Sequence, residues 1–322
     1  MTSEQVLALH RDSIVIDGHC DTILAATSQQ RDFTKRSESG DVDVPRLLEG
    51  GVTAQFMALC ITDEHRGAVT ALAGMDSLFS ALARCSELTL ATTTADIRQA
   101  KANGKVAAIL ALESSDALEG ELGALGMFYR LGLRCLSLTH NLRNRAGDGI
   151  FEIETDGGLS AFGRDLVAEA NRLGVLLDIS HLSPAGVEDV LELTQVPVVA
   201  THANAYALRP YKRNLTDEQI KGVAKKGGVV CVTYVNHFLT ESKPALEHVL
   251  DHIGHIASVA SVDHVGLGSD FDGFDGPRPS GLEDTSKLPN LTAGLAASGY
   301  SKEDMSKVLG GNLLRVIERV CG

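Results

Sequence analysis

The chain has 322 residues, of which 44% are hydrophobic and 22% are charged, a composition typical of a globular protein. Its 42 acidic and 29 basic residues give a formal net charge of −13, which argues against a nucleic-acid-binding or anionic-membrane surface. No apolar run reaches the roughly 18 residues of a membrane-spanning helix, and the first residues show no secretory signal pattern. We therefore expect neither a nucleic-acid partner nor a membrane partner.

Cysteine usage bears on the cellular compartment. The six cysteines have no CxxC spacing, and most of them stand in apolar stretches, where a free thiol behaves as a small hydrophobic group. Free thiols are typical of a reducing environment. The sequence therefore predicts a cytoplasmic protein.

Eight short apolar runs alternate with helix-like segments along the chain. Near-continuous apolar runs of this kind are typical of strands that are buried on both faces of a parallel sheet. The eight runs are 14–17, 54–61, 106–112, 134–139, 175–180, 198–201, 229–233 and 264–268. Eight successive β-then-α units predict an α/β fold of the (β/α)8 barrel type, with residues 1–322 forming one domain rather than two.

Helix-start signals support this alternation. Ser160 is the predicted N-cap of a helix that runs to residue 173, and Ser183 followed by proline opens the next helix. Thr216 begins a capping box before 220–226, and Ser301 opens the last helix in the same way. The polar stretches 29–42 and 141–158 are predicted to be long loops.

Side chains able to bind metals or move protons stand at one end of the predicted strands. The carboxyl ends of all strands in such a barrel meet at one face, which is where barrel active sites lie. These side chains are His19 and Asp21 on the first strand, Glu113 on the third, His140 on the fourth, His181 on the fifth, His202 on the sixth and Asp270 on the eighth. We therefore predict that residues far apart in the sequence form one site.

Imidazole and carboxylate groups together favour Zn²⁺ or a similar divalent ion. Five such ligands exceed the three protein ligands of a single catalytic zinc. A bridging Glu113 would divide them between two ions, with His19 and Asp21 on one and His181 and His202 on the other. Two close ions hold a bridging hydroxide and lower its pKa toward neutrality.

Other histidines and a cysteine are interpreted as structural. Cys20 points away from its neighbours on the strand and is predicted to pack in the core. His248, His252 and His255 have the spacing of a helical metal stripe, but the apolar residues of 246–259 predict an outer barrel helix with a polar flank.

Several groups are left open or unassigned. His10, His65 and His264 have no partner at ligand spacing, and we expect no chemical role for them. His237 follows the seventh strand and could reach the mouth of the barrel. Asp272 shares the strand alternation of Asp270, so either carboxylate could face the site.

The segments that carry these residues resemble the membrane (renal) dipeptidase family, peptidase family M19, within the amidohydrolase-type barrels. The resemblance covers nearly the whole chain. His-x-Asp on the first strand and a glutamate in the bridging position are features of this branch. The supporting motifs include Ile16-Asp-Gly-His-Cys-Asp21, Leu177-Asp-Ile-Ser-His-Leu-Ser183, Thr201-His-Ala-Asn-Ala-Tyr206 and Gly266-Leu-Gly-Ser-Asp-Phe-Asp-Gly273.

The resemblance implies a role for each site residue. It assigns two zinc ions to His19, Asp21, Glu113, His181 and His202. Asp270 matches the proton shuttle, and His140 matches the group that stabilises the scissile carbonyl oxygen. Arg213 matches the group that binds the C-terminal carboxylate of the dipeptide.

The sequence also departs from the family pattern. Cys20 replaces a common asparagine. A tyrosine that assists the carboxylate-binding arginine in mammalian relatives aligns near Phe238, so Tyr234 or His237 is expected to substitute for it. A signal peptide, disulfides and a lipid anchor, which mammalian members carry, are not visible, and the family suggests a homodimer.

The implied activity is zinc-dependent hydrolysis of dipeptides with a free C-terminal carboxylate. The preference between L-L and L-D pairs stays open at this point. Hydrolysis of N-acyl amino acids is the enzymatic alternative, because those substrates also expose a carboxylate. A non-catalytic metal-binding barrel is the alternative from another class, and it predicts that a ligand or the shuttle is missing.

Overall fold

The computed structural model describes residues 1–61, 67–152 and 154–322. The strands of this part of the chain are β1 Ile16–Cys20, β2 Ala54–Cys60, β3 Leu88–Leu90, β4 Val106–Glu113, β5 Leu133–Ser137, β6 Leu176–Asp178, β7 Val199–Ala200, β8 Val229–Val232 and β9 Val265–Leu267. Eight of them form a parallel barrel in the order β1-β2-β4-β5-β6-β7-β8-β9, which β9 closes by pairing with β1. The predicted (β/α)8 TIM barrel is confirmed.

Strand β3 is the strand that the sequence pattern did not predict. Leu88 pairs with Val106 at the start of β4, whereas β5 pairs with β4 only from Leu110 onward. Strand β2 pairs with one edge of β4 along its length. Strand β3 therefore pairs with the other edge of β4, ahead of the residues that pair with β5, and lies outside the closed barrel. Three residues are too few to show a strand period.

Helices surround the barrel. In the described residues they are α1 Ser3–Asp12, α2 Thr22–Ser28, α3 Val44–Glu49, α4 Ala68–Arg84, α5 Thr94–Ala102, α6 Leu122–Arg130, α7 Ala161–Leu173, α8 Pro184–Leu193, α9 Asp217–Lys225, α10 Asn236–Leu239, α11 Leu246–Ala260, α12 Leu288–Ala297, α13 Lys302–Ser306 and α14 Asn312–Cys321. None of these described helices combines the length and the apolar character needed to cross a bilayer.

The predicted helix starts are confirmed. The hydroxyls of Ser160, Ser183 and Thr216 accept hydrogen bonds from backbone N–H groups in the first turns of α7, α8 and α9. The last predicted helix is divided, because a wide turn over Lys307–Gly311 separates α13 from α14. A Cβ atom at Gly310 would meet the backbone of Ile14 and Ile16, so the close approach of this turn to β1 requires glycine.

Alternation along the strands separates two apolar layers. On β4, Val106, Ala108, Leu110 and Leu112 pack with the surrounding helices. Ala107, Ile109 and Ala111 belong to a second cluster inside the barrel, which α14 joins through Leu313, Val316 and Ile317. Glu113 continues the inward-facing set of β4, so the strand period itself directs its carboxylate to the barrel axis.

Candidate metal centre and active site

The five predicted ligands lie at the carboxyl ends of four strands. His19 belongs to β1 and Asp21 follows it, while Glu113 is the last residue of β4. His181 lies three residues after β6 and His202 two residues after β7. All five residues are buried.

Glu113 lies between three imidazole rings. Its Oε1 atom is 2.8 Å from His181 Nε2 and 3.6 Å from His202 Nε2. Its Oε2 atom is 3.5 Å from His19 Nε2, which is also 3.5 Å from Asp21 Oδ2. The structure therefore brings the five predicted ligands together, with the glutamate in the central position that a bridging ligand needs.

Hydrogen bonds on the far side of two rings determine which nitrogen faces the centre. His181 Nδ1 lies 2.9 Å from Asn141 Oδ1, an oxygen that only accepts, so Nδ1 carries the proton. His202 Nδ1 lies 2.9 Å from the hydroxyl of Thr201, which donates its own hydrogen to Asp178 Oδ2 at 2.7 Å. Both Nε2 atoms consequently present lone pairs to the centre, in the manner usual for metal-binding histidines.

These lone pairs face each other. The two Nε2 atoms are 2.8 Å apart, an arrangement that a shared cation stabilises. Burial holds the pKa of His181 and of His202 well below the ordinary value, so both rings are neutral near pH 7, as ligands must be.

Unpartnered atoms mark the same centre. His19 Nε2, Asp21 Oδ1 and Glu113 Oε2 are buried and have no hydrogen-bond partner in the described part of the chain. A buried polar atom without a partner costs about 1–3 kcal/mol, and more when it is charged. Three such atoms around one point, of the oxygen and nitrogen types that divalent ions prefer, fit a metal centre.

A cavity of about 460 Å³ opens over this centre. His140, Arg213 and Asp270 line it together with Asp21, Glu113 and His181. The His140 ring stacks on the His181 ring at a centroid distance of 4.5 Å. The three residues predicted to act on substrate therefore lie around the space above the ligands.

Asp270 lies close to the ligand set. Its Oδ1 atom is 3.9 Å from His19 Nε2. Burial, together with the nearby carboxylates of Asp21 and Glu113, raises its pKa well above the ordinary value. Asp270 and His181 both have left-handed backbone conformations, with φ of 63° and 71°, a strain that is concentrated at functional sites.

Arg213 offers a buried cationic group. Its side chain is 5% exposed, and its Nη2 atom has no partner among the described residues. The guanidinium carbon lies 5.4 Å from the centroid of the Phe238 ring. A buried guanidinium with an unused donor is suited to bind a carboxylate.

Tyr234 does not reach the cavity. Its side chain is fully buried and its ring packs edge-on against Phe271 at 5.4 Å. The described residues that line the cavity near Arg213 include Phe238 and His237 instead. The position of Tyr234 in the core thus gives no support to the prediction that it binds substrate, because a side chain packed in the core cannot contact a ligand in the cavity.

The groups interpreted as structural have structural partners. Cys20 is buried with its sulfur 3.6 Å from the sulfur of Met57. His252 accepts from Ala205 N–H and contacts the Leu239 carbonyl at 3.1 Å. His255 pairs with Asp217 at 2.8 Å, and His248 Nδ1 accepts from the N–H of Ala245 at the start of α11. His65 lies outside the described residues.

The two carboxylates of the last strand end have different partners. Asp270 lines the cavity. Asp272 instead pairs with Arg31 at 2.7 Å and accepts hydrogen bonds from the Thr22 hydroxyl and the Asp41 N–H. Asp272 therefore joins the loops that follow β1 and β9, whereas Asp270 faces the cavity.

Sequence reasoning missed Asp178 and Thr201. Asp178 is buried in β6 and accepts from Ser137, from Thr201 and from the backbone N–H groups of Ser180 and Thr201. It fixes the hydroxyl that orients the ring of His202. The signal that could have found it is a carboxylate within an otherwise apolar strand, since such a group is buried only with several donors.

Comparison with known proteins agrees with this geometry. The family model for membrane dipeptidase, peptidase family M19, matches residues 3–321. A metallopeptidase from Rhodobacter sphaeroides, solved with a phosphinate mimic of the dipeptide L-Ala-D-Ala, is 33% identical with a TM-score of 0.89, over 96% of this chain and 99% of that chain.

Two further structures have the same fold over their whole lengths. A metallopeptidase of family M19 described as dipeptidase AC is 34% identical with a TM-score of 0.90, over 96% of this chain and 99% of its own. An amidohydrolase from Pseudomonas aeruginosa is 28% identical with a TM-score of 0.87, over 98% and 99% of the two chains. The chain belongs to the membrane dipeptidase family, peptidase family M19, and is an enzyme of the metallo-dipeptidase class.

Proposed function

We propose that this enzyme is a zinc-dependent dipeptidase that hydrolyses dipeptides with a free C-terminal carboxylate, L-Xaa-D-Xaa pairs among them. The observation that carries the proposal is the convergence of five buried ligand groups beneath a cavity that is also lined by Arg213, whose Nη2 atom has no partner among the described residues. The L-Ala-D-Ala mimic bound by the Rhodobacter relative supports the inclusion of L-D pairs.

Two zinc ions are the proposed cofactor. His19 and Asp21 would hold one, His181 and His202 the other, and Glu113 both. Three histidine nitrogens with carboxylate oxygens suit zinc among the common divalent ions. When bound, such a pair supplies Lewis-acid polarisation of the substrate and a nucleophile from water at neutral pH.

Arg213 positions the substrate. The planar guanidinium binds the C-terminal carboxylate with two parallel hydrogen bonds, and the adjacent Phe238 ring limits its movement. This contact places the only peptide bond of a dipeptide over the ligand set. A longer peptide has its carboxylate too far from that bond, so the arrangement selects short substrates.

Asp270 and His140 act on the reacting atoms. Asp270 accepts a proton from the attacking water and delivers it to the nitrogen of the departing amino acid. Its raised pKa is consistent with a carboxyl group that gains and loses a proton during turnover. His140 donates a hydrogen bond to the carbonyl oxygen as negative charge develops there, a contribution of about 3 kcal/mol.

A substrate panel tests the proposal. The zinc-loaded protein is incubated with L-Xaa-L-Xaa, L-Xaa-D-Xaa and D-Xaa-L-Xaa dipeptides and with the matching N-acetyl amino acids. We expect hydrolysis of dipeptides, with L-D pairs among the substrates. Faster hydrolysis of the N-acetyl amino acids would replace the dipeptidase by an N-acyl amino acid hydrolase, and zinc binding without any turnover would indicate a non-catalytic barrel.

Location and assembly complete the proposal. The free cysteines, for which a reducing compartment is the simplest setting, support a cytoplasmic enzyme, which fractionation of the source cells tests. A homodimer is proposed from the family resemblance, and sedimentation equilibrium measures it. A monomeric mass would remove the dimer without affecting the site, since all the proposed ligands come from one chain.

A further inference from the structure

Cys60 stands at the edge of the active-site cavity. It is the last residue of β2, it is half-buried, and it lines the cavity together with Glu113 and His140. Its sulfur, a carboxylate oxygen of Glu113 and a ring nitrogen of His140 all lie within 4.8 Å of one another. These three atoms represent thiol, carboxylate and imidazole ligands on neighbouring strand ends.

Two of these three residues are not among the proposed zinc ligands. Cys60 and His140 are outside that set, and the His140 ring stacks on the His181 ring at a centroid distance of 4.5 Å. The third group, Glu113, is 4% exposed and has an unpartnered Oε2 atom. An ionised carboxylate offers about four lone-pair sites, so Glu113 keeps acceptor capacity beyond the two zinc ions that it would bridge.

The other cysteines differ from Cys60 in their surroundings. The Cys20 sulfur contacts Met57 and accepts from Thr22, and Cys135 and Cys231 are buried within the barrel. Across the described ranges of the chain, Cys60 is the cysteine that forms a three-ligand cluster. A soft sulfur ligand at the mouth of the barrel therefore distinguishes this position.

We propose that Cys60, His140 and Glu113 form an additional site for a thiophilic divalent cation, such as Cd²⁺ or zinc in excess of the catalytic ions. On binding, the S–H bond of Cys60 breaks, its proton leaves to solvent, and a metal–sulfur bond forms without any change of oxidation state. The imidazole of His140 and a Glu113 oxygen complete the protein ligands.

Occupation of this site inhibits the enzyme. A cation bound to His140 removes the hydrogen-bond donor that acts on the carbonyl oxygen, and it occupies the wall of the cavity where the dipeptide lies. This consequence rests on the proposed dipeptidase function, whereas the binding of the cation does not.

A spectroscopic titration tests the binding. Cd²⁺ is added in equivalents to the zinc-loaded protein after removal of unbound zinc, and the ultraviolet difference spectrum and the zinc content are recorded. We expect a thiolate-to-cadmium charge-transfer band that saturates near one cadmium per chain while zinc is retained. The band is absent in Cys60→Ser and in Cys60→Ala, and it persists in the matched control Cys321→Ser, which alters a half-buried cysteine in α14.

Two outcomes would overturn the site. One is an equal band in wild type and in both Cys60 variants. The other is release of zinc in proportion to bound cadmium, which would place cadmium at the catalytic ligands. Far-ultraviolet circular dichroism of both variants shows that they are folded before the comparison is made.

Inhibition is measured in parallel on dipeptide hydrolysis. The concentration of Cd²⁺ that halves the rate should rise in Cys60→Ser by at least the roughly 10–100-fold that loss of a supporting group around a metal costs. Equal inhibition of both proteins would contradict the proposal. A cadmium band on a protein that hydrolyses no dipeptide would refute the proposed function and leave the site standing, and hydrolysis without a band would do the reverse.

Discussion

The substitution Asp270→Asn separates two possible roles of this carboxylate. Asp270 forms a close cluster with His19 and Asp21 as well as lining the cavity, so it could hold a metal or move a proton. Asparagine has the same shape and tolerates the left-handed φ of 63° at this position. The variant therefore removes the ionisable group with little change to the fold.

The expected effect follows from the role. A general acid–base group contributes about 10²–10⁴-fold, so kcat should fall by that factor, equivalent to about 3–5 kcal/mol. Because Asp270 shares a buried region with Asp21 and Glu113, loss of its negative charge also relieves repulsion among carboxylates. We therefore expect a melting temperature of the metal-free protein that is unchanged or higher.

The assay pairs turnover with metal content. Dipeptide hydrolysis and zinc per chain are measured on the same preparation, with Asp272→Asn as a matched control that alters the neighbouring carboxylate paired with Arg31. The proton-transfer role predicts zinc content equal to wild type with kcat reduced in Asp270→Asn. A variant that lost zinc would make Asp270 a ligand, and a variant with wild-type kcat would refute both roles.

Three further perturbations test the carboxylate-binding arginine, the support of His202 and a buried histidine. Arg213→Lys keeps the charge but loses the planar guanidinium, so kcat/KM for dipeptides should fall by about 10–100-fold. The already slow hydrolysis of dipeptide amides should change little. Equal losses on dipeptides and on their amides would exclude carboxylate recognition by Arg213. Asp178→Asn weakens the hydrogen bonds that connect Asp178 through Thr201 to His202. Zinc affinity, measured by competition with a chelator, should fall by about 10–100-fold. Unchanged zinc affinity would contradict the orienting role of Asp178. Burial lowers the pKa of His252 from 6.5 to about 4, so protonation of this ring destabilises the folded state. The free energy of unfolding should be highest above pH 6.5 and should fall by up to about 3 kcal/mol as the pH drops toward 4. Urea unfolding should show a smaller loss in His252→Gln.

The barrel could be predicted from the sequence because its strands are buried on both faces. Val106 to Leu112 is a continuous apolar run, and the inward and outward layers of β4 that explain it are present in the structure. The ligands could be predicted because strand ends of a parallel barrel meet at one face, so the strand assignment alone placed His19, Glu113 and His202 together.

The remaining features depend on contacts that no local pattern records. The division of the last helix at Gly310 is set by its approach to β1, about 300 residues earlier in the chain, which the two sequence positions do not reveal. Tyr234 and Phe238 are both aromatic residues after β8, and only tertiary packing puts the first in the core and the second beside Arg213. Cys60 reads as one more apolar residue of β2 until the barrel closes beside Glu113.

Metal dependence of dipeptide hydrolysis is the direct test of a catalytic centre with two zinc ions. The protein is stripped with a chelator, dialysed and titrated with Zn²⁺, and hydrolysis of L-Ala-L-Ala and L-Ala-D-Ala is followed against zinc bound per chain. We expect no activity in the stripped protein and a rise in activity that ends at two zinc ions per chain. Full activity of the stripped protein, or no hydrolysis of either dipeptide with both ions bound, would contradict it.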